Sequence, residues 1–182
     1  MIFTETEVAG AFIVDLETVS DERGLFARAF CRRDFEEHGL NPEVVQCNLS
    51  LSTQAGTLRG MHFQSPPHEE AKLIRCTSGA LYDVALDLRP ESPSYLRWVG
   101  VELSAENRRM LYVPEGCAHG FQTLVPNTEA FYQVSAAYTP EAERGFRWND
   151  RAFGIEWPEA AARTISAKDE RWPDFRPVGV SA

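Results

Sequence analysis

The chain has 182 residues, of which 43% are hydrophobic and 25% charged, a composition typical of one globular domain rather than a disordered or fibrous chain. Its formal net charge of −9 argues against nonspecific binding to nucleic acid or to an anionic membrane, but leaves room for a local basic pocket. No apolar run approaches the ~20 residues of a membrane span, and the N-terminus has no basic segment followed by an apolar one, so we expect a cytoplasmic location.

The N-terminal part of the chain predicts two short strands and a helix. Apolar residues alternate with polar ones over residues 12–16, which is the period of a half-buried strand. Residues 20–24 have the composition of a turn, and residues 25–30 predict a second strand. A short helix is predicted over residues 34–38, because Gly39 follows it at the position of a C-terminal cap.

From residue 44 onward short strands dominate, punctuated by glycine, proline and asparagine. The predicted strands cover residues 44–48, 58–64, 72–76, 80–88, 96–103, 110–113, 120–124 and 129–135. Such regular spacing indicates a sandwich or barrel rather than a parallel α/β sheet. The C-terminal third predicts a tail packed over the barrel, with a brief helix at 159–163. Because no repeat or linker interrupts the pattern, we expect a single domain over residues 1–182.

His62 and Lys72 lie ten residues apart, with Pro66 and Pro67 between them. This arrangement predicts two strands joined by a turn and lying side by side, so that the imidazole and the ammonium face one pocket. Histidine exchanges a proton near neutral pH, and a nearby lysine can stabilise the anion that such a transfer creates. The alternative is a structural histidine with satisfied hydrogen bonds.

A series of ordered motifs runs along nearly the whole chain. They include Arg23-Gly24-x-Phe26, Gln46-x-Asn48, Leu58-Arg59-Gly60-x-His62-Phe63-Gln64, Lys72-Leu73-Ile74-Arg75, Val113-Pro114-Glu115-Gly116-x-Ala118-His119-Gly120-Phe121 and Ser166-x-Lys168-Asp169. In this order they resemble the dTDP-4-dehydrorhamnose 3,5-epimerase family. The resemblance implies an all-β, cupin-type jelly-roll barrel with short helices at its periphery and a C-terminal tail. It also implies a homodimer, a nucleotide-sugar substrate with a ketone at C4, and no cofactor.

Four residues fit the chemistry of such an epimerase, and the resemblance assigns the same four positions. A ketone at C4 acidifies the protons at C3 and C5, so epimerisation needs a base, a group that stabilises the enolate, and an acid on the opposite face. His62 fits the base, Lys72 the enolate-stabilising group and Tyr132 the acid. Asp169 fits the carboxylate that orients His62. Taken alone, Tyr132 is also compatible with a strand tyrosine, and Asp169 with a solvated tail residue.

The resemblance also implies a set of residues that bind the substrate, among them cations for the diphosphate. This set consists of Arg23, Phe26, Arg28, Gln46, Asn48, Arg59, His119, Glu143 and Lys168. Tyr138 could stack on the base, or it could be an aromatic residue at a sheet edge.

Departures from the family pattern include one that leaves the ligand open. Arg28 stands where the family usually has glutamate, near the nucleotide, which puts the base or the exact sugar nucleotide in doubt. Gln133 stands where lysine is common, and Glu70 where glutamine is common. The alternatives are therefore an enzyme that inverts only C3 or C5 of another nucleotide sugar, with CDP or GDP, or a non-catalytic or metal-dependent cupin. Metal cupins commonly use a His-x-His pair, but Gln64 takes the second position here, so we expect no metal. The four cysteines form no C-x-x-C pair and are predicted to be free thiols.

Overall fold

The computed structural model describes residues 1–176. Its strands are β1 (Ile2–Glu5), β2 (Phe12–Asp15), β3 (Thr18–Asp21), β4 (Gly24–Ala27), β5 (Gln46–Ser52), β6 (Thr57–Gln64), β7 (Lys72–Ser78), β8 (Ala80–Asp87), β9 (Trp98–Ser104), β10 (Met110–Val113), β11 (Cys117–Thr123), β12 (Thr128–Val134), β13 (Glu143–Gly145) and β14 (Thr164–Ile165). One α-helix, α1 (Arg32–Glu37), and two 3₁₀ helices, Pro140–Ala142 and Asp169–Arg171, lie outside the sheets. No helix in residues 1–176 combines the length and apolar character needed to cross a membrane.

The strands form two large sheets that pack face to face. The first sheet has the order β1-β2-β10-β7-β12-β5, and the second has the order β13-β6-β11-β8-β9, with β14 added alongside β6. Strands β3 and β4 pair only with each other. All pairings are antiparallel except that of β14 with β6. The predicted all-β jelly roll with peripheral helices is confirmed.

Three apolar clusters fill the layers of this fold. The cluster between the sheets contains Ile74, Leu81 and Leu111, all fully buried, and burial of such a side chain stabilises the fold by about 1.5–3 kcal/mol. Helix α1 covers part of the outer face of the first sheet with Phe35. The C-terminal segment covers the outer face of the second sheet, where Phe153 is buried. The predicted tail over the barrel is therefore confirmed.

The helix predicted at residues 34–38 is present two residues earlier, as α1, and Gly39 follows it with a φ of +69°. The brief helix predicted at 159–163 is wrong, because that segment has no helical residues. It packs against Gly56 instead, and the amide of Thr164 donates to the carbonyl of Gly56 to begin the pairing of β14 with β6. Tertiary pairing here overrides the helix propensity of an alanine run.

The predicted side-by-side pairing of the strands of His62 and Lys72 is also wrong. Strand β6 pairs with β11, β13 and β14 in the second sheet, whereas β7 pairs with β10 and β12 in the first. The connection over residues 65–71, with its two prolines, crosses from one sheet to the other instead of closing a hairpin. The expected consequence survives, since both side chains still face the space between the sheets.

The second sheet is unusually close-packed beside His62. Gly60 has a φ of +123°, and a Cβ added there would lie 2.5 Å from the Cα of Gly120 in β11. The register between β6 and β11 shifts between His119 and Phe121. Glycine is needed at this position for both its backbone angle and the contact.

Candidate active site

A cavity of about 460 Å³ lies between the two sheets, and a second of about 300 Å³ adjoins it. His62, Lys72 and Tyr132 line both cavities, so these three side chains stand where the two spaces meet. Volumes of several hundred Å³ suit a small-molecule ligand. The two sheets thus enclose a site whose walls carry the groups predicted for proton transfer.

His62 is held by a buried carboxylate. Its Nε2 lies 2.6 Å from Oδ1 of Asp169, which is only 4% exposed at the start of the second 3₁₀ helix. Because a carboxylate only accepts hydrogen bonds, Nε2 donates and Nδ1 is left to exchange a proton. The edge of the Trp172 ring lies against the imidazole, with 6.3 Å between the ring centroids.

Asp169 is fixed by further contacts and stays ionised. Its Oδ2 lies 3.4 Å from the amide of Gly60, and its own amide donates to Oγ of Ser166 at 3.1 Å. Burial alone would raise the pKa of Asp169, but the hydrogen bond and charge of His62 outweigh it and lower that pKa below 3.8. A carboxylate at neutral pH stabilises the imidazolium that forms when His62 takes a proton.

Lys72 and Tyr132 stand on the opposite wall, in strands β7 and β12 of the first sheet. The ammonium of Lys72 lies 3.0 Å from Oε1 of Glu70. Burial raises the pKa of Tyr132 above 10, and the charge of Glu70 raises it further against a smaller opposing effect of Arg59. The phenol is therefore protonated at neutral pH and able to donate a proton.

A second His–Asp pair lies beside the first. His119 in β11 is the register partner of His62, and its Nε2 lies 2.7 Å from Oδ1 of Asp83. Asp83 is fully buried, and its Oδ2 has no hydrogen-bond partner within residues 1–176. The sequence predicted His119 but missed Asp83. The one sign of Asp83 in the sequence was a carboxylate among the apolar residues of its strand, β8.

The adjoining cavity carries a polar network. Lys168 contacts Oε1 of Glu143 at 2.5 Å, and the hydroxyl of Tyr138 donates to Oε2 of the same carboxylate at 2.8 Å. The amide of Gln46 donates to Oδ1 of Asn48 at 2.8 Å. Burial would raise the pKa of Glu143, but hydrogen bonds from Lys168 and Tyr138 lower it below its ordinary value.

The side chain of Gln64 is held by hydrogen bonds with backbone groups. Its amide nitrogen donates to the carbonyls of His68 and Ala137, and its Oε1 accepts from the amide of Thr139 at 2.6 Å. Within residues 1–176, no group of three or more His, Cys, Asp and Glu side chains is placed to hold a metal ion.

A family model described as dTDP-4-dehydrorhamnose 3,5-epimerase matches residues 5–177. The chain belongs to this family. The curated epimerase of this name from Sinorhizobium fredii is 43% identical over 181 residues, which covers 100% of this chain and 93% of the relative. The predicted epimerase activity, an isomerase reaction of nucleotide-sugar metabolism, is confirmed by this membership.

Solved structures of the dTDP-4-dehydrorhamnose 3,5-epimerase family share the fold. The crystal structure from Elizabethkingia anophelis superposes with a TM-score of 0.93 at 38% identity and covers 96% of each chain. The family member from Legionella pneumophila, solved in complex with dTDP-4-keto-L-rhamnose, superposes with a TM-score of 0.89 at 36% identity. That match covers 95% of this chain and 92% of that one.

The protomer of this epimerase brings together most of the predicted site residues, but not all. Those that line the two cavities are His62, Lys72, Tyr132, Asp169, Arg59, His119, Lys168, Gln46, Asn48, Tyr138 and Glu143. Arg23, Phe26 and Arg28 lie elsewhere, in or just after the β3–β4 hairpin, which projects from the body. Phe26 is 75% exposed there, and Arg23 pairs with Asp21 instead of facing a cavity.

Proposed function

We propose that this protein converts dTDP-4-dehydro-6-deoxy-D-glucose into dTDP-4-dehydro-L-rhamnose by inverting C3 and C5, in the cytoplasm and without a cofactor. One observation carries the proposal: His62 on the second sheet, held by Asp169, lines the same site as Lys72 and Tyr132 on the first sheet. Epimerisation requires a base and an acid on opposite faces of one carbon, and two facing walls meet that need. The Legionella pneumophila relative was solved with the corresponding product, dTDP-4-keto-L-rhamnose.

The reaction proceeds through an enolate at each centre. Nδ1 of His62 removes the proton from the carbon next to the ketone, and the electron pair moves onto the C4 oxygen. Lys72 stabilises that oxyanion by its charge. The phenol of Tyr132 then delivers a proton from the opposite face, the C4 carbonyl re-forms, and solvent restores the protonation of Tyr132 and His62.

The cations at the site's edge give the diphosphate its binding partners. Arg59 on β6 is exposed, and its guanidinium has only long contacts, of 3.4 Å to Oγ of Ser52 and 3.5 Å to the carbonyl of Leu51. Lys168 and His119 line the same cavity. Gln46, Asn48 and Tyr138 are assigned to the nucleotide end, beside Glu143. Charge-assisted hydrogen bonds of this kind are the usual means of holding phosphate groups.

The β3–β4 hairpin supports the assignment of a homodimer. Its apolar residues Val19, Leu25 and Phe26 are exposed among residues 1–176, and so are Leu49 and Leu51 on the outer face of β5. In a dimer, the β3–β4 hairpin of one protomer and the residue that follows it place Arg23, Phe26 and Arg28 at the site of the other. Sedimentation velocity tests this: a monomer at micromolar concentration excludes the assignment, and a Leu49→Glu variant of a real dimer dissociates.

Proton NMR in deuterated water tests the reaction, with the product trapped by a 4-ketoreductase. His62→Asn should abolish exchange at both carbons, whereas Tyr132→Phe should keep exchange but lose ~10²–10⁴-fold of the inverted product. Near wild-type exchange by His62→Asn would exclude His62 as the base. A panel of dTDP, CDP and GDP 4-keto sugars distinguishes the substrates, and deuterium at only one carbon would replace the proposal with a mono-epimerase.

A further inference from the structure

The chain has only two lysines, Lys72 and Lys168, among 18 lysines and arginines. Both line the site, and each is paired with its own glutamate. The ammonium of Lys72 lies 3.0 Å from Glu70, and that of Lys168 lies 2.5 Å from Glu143. The Glu143–Lys168 pair belongs to the ligand-binding network described above. Glu70 has no such assignment, although it lines the same cavity as His62 and Tyr132.

The Glu70–Lys72 ion pair forms part of the wall of the smaller cavity. Residues two apart in an extended segment project from the same side, so Glu70 leads into β7 directly beside Lys72. Both side chains are only 10% exposed. The register partners of Lys72 are Val113 in β10 and Val134 in β12, which offer its ammonium no side-chain partner. Among residues 1–176, Glu70 is the sole ion-pair partner of Lys72.

We propose that Glu70 is a positioning residue that fixes the ammonium of Lys72 where the C4 oxyanion forms. This inference rests on the proposed function, because it assigns to Lys72 the stabilisation of that oxyanion. A lysine side chain has a long flexible stem, so its ammonium needs a fixed partner to hold one position. Misplacement of a catalytic group by about 1 Å can cost ~10²-fold in rate. The carboxylate also bears on Tyr132, because its charge helps to keep the phenol protonated.

Glu70 has two opposite effects on the reaction: it positions Lys72, which speeds the reaction, and its negative charge opposes the enolate. Different substitutions can therefore separate the two effects. The negative charge of Glu70 opposes an enolate nearby, so its removal alone would not slow the reaction. Loss of the oxygen that lies 3.0 Å from its ammonium releases Lys72 and slows the reaction. Glu70→Ala removes both charge and acceptor, whereas Glu70→Gln keeps an amide oxygen that can still accept from Lys72.

Kinetics in five variants test the catalytic part. Glu70→Ala should lower kcat for epimerisation ~10–100-fold with KM changed less than ~threefold, and Glu70→Gln should restore kcat to within ~threefold of wild type. In a Lys72→Met background, Glu70→Ala should have no further effect. Glu37→Gln, which removes a carboxylate from an exposed ion pair on α1, is the control and should match wild type. A Glu70→Gln variant as slow as Glu70→Ala, or an undiminished effect without Lys72, would overturn the proposal.

Acetylation by acetic anhydride, read by mass spectrometry, tests the pair without any turnover. With only two lysines in the chain, each site is resolved unambiguously. Glu70→Ala should raise the acetylation rate of Lys72 several-fold and leave Lys168 unchanged, because the substitution removes the carboxylate that holds the Lys72 nitrogen at 3.0 Å and frees it to meet the reagent. Glu143→Gln should raise the acetylation rate of Lys168 and leave that of Lys72 unchanged. An unchanged rate at Lys72 would reject the pairing, whereas a wild-type protein that protects Lys72 but exchanges no sugar proton would reject the proposed function alone.

Discussion

Asp169→Asn isolates the electrostatic part of catalysis. The substitution keeps the shape of the side chain that contacts Nε2 of His62 at 2.6 Å but removes its charge. A hydrogen bond to a charged group is worth about 1.5–3 kcal/mol, so the imidazolium formed in the reaction loses roughly that much stabilisation. If the amide turns its nitrogen toward His62 instead, the imidazole is forced into the wrong tautomer, which in a serine protease triad costs ~10⁴-fold.

We therefore expect kcat for sugar-proton exchange to fall at least ~10–100-fold in Asp169→Asn, measured by NMR in deuterated water at pH 7. Binding of dTDP, measured by calorimetry, should stay within ~threefold of wild type, because Asp169 contacts His62 and not the cations at the site's edge. Asp174→Asn removes an exposed carboxylate paired with Arg147 and should behave as wild type. An exchange rate in Asp169→Asn within ~threefold of wild type would show that His62 works without its carboxylate.

Three further outcomes follow from the fold. Burial would raise the pKa of Asp87, but hydrogen bonds from Arg89 and two serines hold it at about 2 against an ordinary 3.8. This carboxylate therefore contributes ~2 kcal/mol to the free energy of unfolding at pH 7, and the contribution is lost as the pH falls from about 4 to about 2. Between pH 7 and pH 3, the free energy of unfolding in urea should fall more for wild type than for Asp87→Asn. Equal decreases in the two proteins would refute the assignment. Gly60→Ala should cost ~1–3 kcal/mol more unfolding free energy than Gly24→Ala, because both have a φ near +120° but a Cβ at Gly24 has no neighbour within 4 Å among residues 1–176. Equal costs would argue against the close approach of Gly60 to Gly120. Arg28→Glu should change the ranking of dTDP, CDP, UDP and GDP in titrations, and an unchanged ranking would make Arg28 a surface residue without a role in binding.

The sequence predicted which side chains line the cavity better than it predicted the arrangement of the strands. His62, Lys72 and Tyr132 were selected by motif and chemistry, and all three line the site. Their placement on two different sheets was not foreseen, because a connection with two prolines suits a turn as well as a crossing between sheets. Which of the two forms depends on distant partners such as β11 and β12, which no local pattern identifies.

Burial was equally difficult to foresee. The alternating pattern of residues 80–88 predicted β8 correctly, yet Asp83 and Asp87 are both fully buried. Their strand is covered on both faces, by the core between the sheets and by the C-terminal segment. Each carboxylate is stabilised by a partner from elsewhere in the chain or a nearby loop, His119 for Asp83 and Arg89 for Asp87. Residues in and after the β3–β4 hairpin were selected by resemblance alone, and a single protomer does not bring them to its cavity.

Under the proposed mechanism, the placement of His62 and Tyr132 on two different sheets has a consequence for how stereochemistry can evolve. The gap that the sugar ring must bridge is set by interior side chains between the sheets, and not only by those in contact with the ligand. Tyr132 packs on this interior, and its register partner Ile74 is fully buried within it. A change of one methylene at such a hidden position would move the phenol of Tyr132 relative to His62, while the hydrogen bond of His62 to Asp169 is kept. Under that mechanism, drift in interior volume would be a route from a double inversion to a single one, with every residue that touches the sugar unchanged.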